Sequence, residues 1–116
     1  MQERRNYPRL DISVGVSWKK VGSSEQVAES DLTKNIAAGG VCLIVFEKVV
    51  LGDILFLELT LPTKQTIVCR GRVVWVRDLG ILGKEAQRKF DVGIEFVDIS
   101  SEDRETIKKF VFSFLR

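Results

Sequence analysis

Short stretches in which apolar and polar residues alternate, each ended by a turn signal, constrain the fold of this chain most strongly. In the first stretch, residues 10–20, the alternate apolar side chains fall on one face of a strand. Turn signals follow at Gly22, Gly52 and Pro62. Further predicted strands cover residues 25–35, 41–46, 53–61, 66–77 and 88–97. Six such strands predict a mainly β fold, a six-stranded antiparallel β-barrel over residues 11–97, because closure removes exposed strand edges.

The last segment changes its period from two residues to about 3.6. Ser100 can cap a helix, and Asp103 three residues later makes a weaker form of the capping box. Apolar residues then recur along one helical face: Ile107, Phe110, Val111, Phe114 and Leu115. The pattern predicts a C-terminal amphipathic α-helix over residues 100–116. We expect its apolar stripe to pack on the barrel, and docking on a partner or a second copy of the chain is the alternative.

Composition excludes several classes of function. The 116 residues suit a single domain, residues 1–116. No apolar run approaches the ~20 residues that cross a bilayer, and the first residues lack the apolar stretch of a signal peptide, so we expect a cytoplasmic protein without a membrane span. The absence of histidine excludes Ser–His and Cys–His nucleophilic systems and most zinc sites. With no paired carboxylates either, we predict that the chain is not an enzyme and holds no metal or cofactor.

The cysteines bear on metal and redox sites, and the net charge bears on nucleic-acid binding. Cys42 and Cys69 lie inside apolar runs without metal-ligand or redox spacing, so we expect small buried hydrophobes in a reducing compartment. The formal net charge of +2 is too small for a general nucleic-acid binder. The placement of the positive charge is therefore more informative than its sum.

Positive charge is concentrated at the N-terminus. Arg4, Arg5 and Arg9 lie within the first nine residues, with only Glu3 to offset them. Arginine presents a planar fork of donors to phosphate oxygens or to the O6 and N7 atoms of guanine, and it also stacks on a base. We expect residues 1–10 to form a flexible arginine-rich arm beside the barrel. Such arginines are commonly just solvated, so this cluster alone does not assign a function.

A second motif lies in the middle of the chain, over residues 35–40. Asn35 can offer both a donor and an acceptor to a base edge. Gly39 and Gly40 permit a positive φ and a close approach of a ligand to the backbone. Taken alone, this segment is better explained as an ordinary turn between strands.

Together the two motifs resemble those of PilZ domains. Arg5 and Arg9 have the spacing of the family's Arg-x-x-x-Arg, and the segment from Asn35 to Gly40 resembles its Asp/Asn-x-Ser-x-x-Gly. Residues 71–75 and 92–96 are similar to two further strands of the family, the second in its Gly-x-x-Phe pattern. The resemblance covers essentially the whole chain and includes the terminal helix. It implies a six-stranded barrel that binds cyclic di-GMP, a bacterial second messenger.

The resemblance also implies roles for individual residues. Arg5 and Arg9 would grip the phosphates and guanine faces of cyclic di-GMP. Asn35 would contact a guanine edge. Gly40 would let the backbone approach the ligand, and Gly39 would help to shape the turn.

Arg4 and Ala37 bear on the number of cyclic di-GMP molecules bound and on the affinity for them. In the family, an arginine at the position of Arg4 often accompanies binding of a stacked, intercalated pair of ligand molecules, although a solvated side chain is an alternative. Ala37 replaces the family's serine, so one hydroxyl contact to the ligand is lost. Loss of one neutral hydrogen bond costs ~0.5–1.5 kcal/mol, which weakens affinity roughly two- to tenfold.

The function expected from these features is a receptor or adaptor for cyclic di-GMP. The ligand would order the N-terminal arm and so signal to an effector protein or an adjacent domain, with a homodimer through the C-terminal helix as a further option. The main alternative is a degenerate PilZ-like module that binds only protein, with weak or no nucleotide binding. Binding of single-stranded DNA or RNA is not expected, because Trp18, Trp75 and most phenylalanines follow core patterns. The sequence leaves the downstream pathway open.

Overall fold

Seven β-strands and one α-helix lie within the part of the chain that the computed structural model describes, residues 8–22, 28–30, 33–81 and 88–114. The mainly β fold with one C-terminal helix is as the alternating pattern predicts. The elements are β1 (Gly15–Lys20), β2 (Ala28–Ser30), β3 (Thr33–Ala37), β4 (Gly40–Val45), β5 (Ile54–Thr60), β6 (Thr66–Ile81), β7 (Arg88–Asp98) and α1 (Ser101–Ser113).

The strands form one antiparallel sheet in the order β2-β1-β5-β6-β7-β4-β3. Six of them have five or more residues, and β2 adds three residues at one edge. This confirms the six-stranded antiparallel fold. The sheet curls into a half-barrel, with β2 and β3 as its two described ends. Alternation reveals which face of a strand is buried, but it does not reveal whether the two edge strands meet.

One apolar core fills the concave side of the sheet. In β5 the side chains of Leu55, Leu57 and Leu59 are buried, whereas the residues between them face solvent. Trp18 of β1 is buried in the same core, as its alternation with polar neighbours predicts. We call the concave side the core face and the opposite side of the sheet the outer face.

Trp75 does not lie in the core, and this corrects the expectation from the sequence. Val73 is buried, whereas Val74 and Trp75 are both exposed, Trp75 to 37%. The reason is a β-bulge in β6 between Val73 and Trp75, where it pairs with β7. A bulge inserts one extra residue and so reverses the faces that follow it. Several phenylalanines are also exposed rather than buried: Phe46, Phe56, Phe112 and Phe114.

Two predicted strand boundaries also differ. Of the strand predicted over residues 25–35, the described residues form β2 and β3, and β3 continues to Ala37. β6 runs on to Ile81, beyond the end predicted at residue 77. Gly80, with φ of 73°, lies at a second bulge there, and its N–H donates to Asp78. This hydrogen bond and the adjacent Arg88 lower the pKa of Asp78.

Helix α1 begins where the sequence predicts. The N–H of Asp103 donates to Ser100 Oγ at 3.0 Å, which is the expected N-cap. Ile107, Phe110 and Val111 are buried in the common core, so the helix packs on the sheet. Phe114 belongs to the same predicted stripe but is exposed, with its ring edge against Phe110.

Because Cys69 is buried, we expect the stability of the fold to fall at alkaline pH. Burial, together with Asp103 and Asp98, raises the pKa of its thiol from 9.0 to about 12. The unfolded chain loses this proton first, so the stabilisation is complete below pH 9 and is lost as the pH rises toward 12. Urea unfolding at about pH 8 and about pH 10.5 should show this fall, and Cys69→Ala should reduce it. An equal fall in the variant would contradict the assignment.

Candidate ligand-binding site

The end of the N-terminal arm is attached to β3. Leu10 and Ile36 exchange two backbone hydrogen bonds, of 2.9 and 3.0 Å, as an isolated antiparallel bridge. The guanidinium of Arg9 donates through one nitrogen to Asn35 Oδ1 at 3.2 Å and to Cys42 Sγ at 3.4 Å. The structure therefore brings together Arg9 and Asn35, one residue from each sequence motif.

Arg4 and Arg5 lie outside the described residues. Their contact with a ligand stays a prediction. Only Arg9 of the three arginines is placed, so the geometry of the site is built on it.

The second motif forms a tight hairpin between β3 and β4. Ala37 pairs with Gly40, and Ala38 and Gly39 make the turn. Neither Gly39 nor Gly40 has a positive φ, contrary to one reason for expecting glycines here. Gly40 instead permits a close approach: a Cβ there would lie 2.1 Å from the carbonyl oxygen of Ile94 on β7.

The turn of this hairpin contacts both the arm and the helix. Ala38 is buried in the core. It lines a small cleft together with Pro8 of the arm and three residues of α1: Lys108, Val111 and Phe112. The arm, the turn and the helix therefore share one contact region.

Ala37 belongs to the outer face and not to the core. It is 4% exposed, but it is absent from the core cluster that contains Ile36 and Ala38. Strand alternation places it on the same side as Asn35. A serine at this position would thus present its hydroxyl on the side where Arg9 lies.

Four residues form a line across the outer face, perpendicular to the strands. Asn35 of β3 pairs with Cys42 of β4, Cys42 with Gly93 of β7, and Gly93 with Trp75 of β6. We call this line the outer-face row. Adjacent strands lie ≈ 4.7–4.9 Å apart, so the row extends about 14 Å from Asn35 to Trp75.

Trp75 lies over Gly93. A Cβ on Gly93 would lie 2.1 Å from Trp75 Nε1, so the indole occupies the space that a side chain would fill. The sequence argument missed this residue. The available signal was the run Val73-Val74-Trp75-Val76. Successive side chains of a strand point to opposite faces, so four consecutive apolar residues cannot all face the core.

Metal-ligating clusters and membrane-spanning helices are both absent from the described ranges. No group of three or more Cys, Asp or Glu side chains there could hold a metal ion. Within the same ranges, no helix has the length and apolar character needed to cross a membrane. The outer face of the described structure carries the guanidinium of Arg9, the amide of Asn35 and the indole of Trp75.

A sequence model of the PilZ domain matches residues 3–113, nearly the whole chain. The chain belongs to the PilZ domain family. This confirms the resemblance seen in its two motifs. A comparison with curated proteins finds no match.

Solved structures share the PilZ fold. The inhibitor of motility MotI/DgrA of Bacillus subtilis has a TM-score of 0.78 at 20% identity, over 97% of this chain and 51% of that one. The PilZ domain of YcgR from Escherichia coli, described as a structure with c-di-GMP, has a TM-score of 0.71 at 14% identity, over 98% of this chain and 93% of that one. The K. pneumonia MrkH–c-di-GMP complex has a TM-score of 0.76 at 18% identity, over 98% and 52%.

These comparisons define what the PilZ domain shares with its structural neighbours. The chain spans about half the length of MotI/DgrA and of MrkH, and nearly all of the isolated YcgR domain. At identities of 20% or less, the likeness is one of fold. The ligand and the partners of this chain are argued from its own residues below.

Proposed function

We propose that this PilZ domain is a receptor for cyclic di-GMP with no chemistry of its own. The observation that carries the proposal is the contact of Arg9 with Asn35, because it joins the two PilZ motifs on one face of the sheet. Two structural neighbours, YcgR and MrkH, were solved with c-di-GMP, which is consistent with this ligand. We expect the same face to receive it here.

Arg9 and Asn35 supply complementary groups for a guanine nucleotide. Arginine has five N–H donors, and one guanidinium nitrogen makes both contacts to Asn35 and Cys42. The guanidinium can therefore also face phosphate oxygens or the O6 and N7 atoms of guanine. Asn35 accepts from Arg9 through Oδ1, and its amide NH₂ is the group that we propose donates to a base.

Trp75 adds a stacking surface at the far end of the outer-face row. Its indole is exposed to 37% and is backed by Gly93. Stacking of a base on an aromatic side chain contributes ≈ 1–3 kcal/mol. We propose that one base of the ligand lies near Arg9 and Asn35 and that another base stacks on Trp75.

The N-terminal arm is the part of the chain that we propose responds to ligand. Leu10 is bonded to β3, so the response would come from the residues before Pro8, which include Arg4 and Arg5. The two ligand phosphates would offset the mutual repulsion of these arginines and draw the arm over the outer face. If Arg4 also binds, it would favour a stacked pair of ligand molecules. The ordered arm would then signal to an effector protein or an adjacent domain.

Calorimetric titration with cyclic di-GMP tests the receptor function directly. We expect saturable binding, with a stoichiometry that distinguishes one ligand molecule from a stacked pair. Cyclic di-AMP is the matched control, because it keeps both phosphates but lacks the guanine O6 acceptor that arginine recognises. Folded protein that gives no heat at high micromolar cyclic di-GMP would contradict the proposal.

A protein-binding module is the second candidate function. It is favoured by Ala37 in place of the family's serine and by exposed Phe112 and Phe114 near the end of α1. A stable complex with a partner, or a homodimer through α1, that forms equally with and without cyclic di-GMP would support it. Sedimentation with and without ligand distinguishes a homodimer from a monomer.

Replacing Ala37 with serine is expected to tighten binding of cyclic di-GMP roughly two- to tenfold, the effect of one neutral hydrogen bond. The side chain lies on the face that carries Arg9, so the new hydroxyl would meet the ligand there. Calorimetry on both proteins measures the change. Ala38→Ser is the control, because Ala38 belongs to the core cluster and should give no tighter binding. Equal affinities of Ala37→Ser and the unaltered chain would refute this contact.

A further inference from the structure

A buried carboxylate on the outer face holds two cations that the two sequence motifs do not include. Asp91 of β7 has a side chain 1% exposed. Its Oδ2 accepts from Lys34 Nζ at 2.9 Å and from Arg77 at 2.7 Å. Oδ1 has no hydrogen-bond partner among the described residues. Both cations therefore meet on a single oxygen atom.

The cluster of Lys34, Asp91 and Arg77 lies next to the outer-face row. Asp91 pairs with Arg77, and Gly93 pairs with Trp75. Each member of the first pair lies two residues along its strand from a member of the second, so the two pairs are neighbours on the same face. Lys34 immediately precedes Asn35 in β3.

A bulge explains why the adjacent residues Lys34 and Asn35 both face this side. The pairing of β3 with β4 shifts by one residue between Thr33 and Asn35, which leaves Lys34 as the extra residue. A bulge of this kind redirects a side chain. The ion pair with Asp91 shows that Lys34 reaches across β4 on the outer face.

The cations remain accessible although Asp91 is not. The side chains of Lys34 and Arg77 are 44% and 65% exposed. Two positive charges and one negative charge leave the cluster with a net charge of +1. Because both nitrogens bond the same oxygen, they lie close enough together for a single phosphate group to bridge them.

The buried carboxylate also orders the two side chains before any ligand arrives. Free lysine and arginine side chains lose much rotamer freedom when they bind a ligand. Here the ion pairs with Asp91 already restrict them, which lowers that entropic cost. If neutralising Asp91 were the only role, one cation would match its charge, whereas the cluster holds two.

We propose that Lys34 and Arg77, positioned by Asp91, form a phosphate-binding subsite beside the outer-face row. The inference rests on the proposed function, because the phosphate is taken to belong to a nucleotide ligand seated on that row. Lys34 and Arg77 contact the phosphate, and Asp91 is a positioning residue. The subsite places one cation from β3 and one from β6 on the outer face, and neither belongs to the N-terminal arm.

Charge-removing variants test the subsite. Lys34→Gln and Arg77→Gln should each weaken binding of cyclic di-GMP by about tenfold. Each should also reduce the slope of log affinity against log salt, because one screened charge–charge contact is lost. The charge-preserving variants Lys34→Arg and Arg77→Lys should retain most of the affinity. Circular dichroism confirms that each variant is folded.

Arg70→Gln is the matched control. Arg70 is an exposed arginine of β6 that pairs with Asp98, away from the outer-face row. Its removal should leave both the affinity and the salt slope unchanged. An effect as large as that of Arg77→Gln would mean that only the general charge matters and would overturn the subsite.

The outcomes separate the subsite from the proposed function. If the unaltered chain does not bind cyclic di-GMP, the receptor function fails. If it binds and both glutamine variants bind equally well, the subsite alone is overturned. Should a glutamine variant not fold, NMR of the Lys34 ammonium and Arg77 guanidinium in the unaltered chain replaces it. Ligand-induced shifts at Asn35 without shifts at those groups would likewise overturn the subsite.

Discussion

Replacing Arg9 with alanine is expected to weaken binding of cyclic di-GMP by about 100-fold or more. Hydrogen bonds from a charged group contribute ≈ 1.5–3 kcal/mol each, and the variant loses at least two of them to the ligand. It also removes the partner that holds Asn35 Oδ1 in place. Calorimetry or a fluorescent-ligand assay would measure the loss.

The folded state should tolerate this change. Arg9 is only partly buried and contacts Asn35 and Cys42 through one guanidinium nitrogen, so Arg9→Ala should alter the free energy of unfolding by less than about 1 kcal/mol. Arg70→Ala is the control for loss of one positive charge and should bind as the unaltered chain does. Arg9→Lys should restore only part of the affinity, since an ammonium cannot make a bidentate contact. Affinity of Arg9→Ala within threefold of the unaltered chain would place the ligand elsewhere.

Replacing Gly40 with alanine is expected to lower the free energy of unfolding by about 3 kcal/mol. The new Cβ would lie 2.1 Å from Ile94 O and 3.2 Å from the Cα of Glu95, both backbone atoms of β7. A backbone neighbour cannot turn away as a flexible side chain can. β4 and β7 must therefore separate where they carry Cys42 and Gly93 of the outer-face row, and ligand binding should fall as well.

Gly15→Ala is the matched control for this effect. Gly15 also lies at the start of a strand, but its new Cβ would meet Thr60 at 3.7 Å, an ordinary contact. We expect its stability to change by less than about 0.5 kcal/mol. Urea unfolding of the three proteins gives the comparison. A Gly40→Ala variant as stable as Gly15→Ala would show that β4 and β7 can separate at little cost.

Much of the fold follows from the periodicity of the sequence. Strands with regular alternation, such as β5, are buried on the predicted face, and α1 begins at the predicted cap, Ser100. The error at Trp75 coincides with a bulge. Regular alternation past Val73 predicts that Trp75 lies on the core face. In the sheet, the residue inserted by the bulge places Trp75 on the outer face instead. A bulge depends on the partner strand, so periodicity within one strand cannot reveal it.

Some residues of the candidate site are predicted from the sequence, and others are not. The resemblance to PilZ domains implied that Arg9 and Asn35 belong to one site, and the structure places their side chains in contact. Lys34, Asp91 and Trp75 were not foreseen. Two of these lie at bulges, and Asp91 has cationic partners that come from strands distant in sequence. Contacts across several strands are set by sheet order, which a single sequence does not encode locally.

If the proposed ligand binds at Arg9, the cleft between the arm, the hairpin turn and α1 offers a route for thermodynamic linkage between ligand binding and helix contacts. Pro8 precedes Arg9, Ala38 belongs to the turn of the second motif, and Phe112 belongs to the helix, yet Pro8, Ala38 and Phe112 line one cleft. If the ligand changes how tightly a partner binds α1, the partner must change the affinity for the ligand by the same factor. In that case, the affinity for cyclic di-GMP measured on the chain alone is one limit of a range whose other limit is set by the partner.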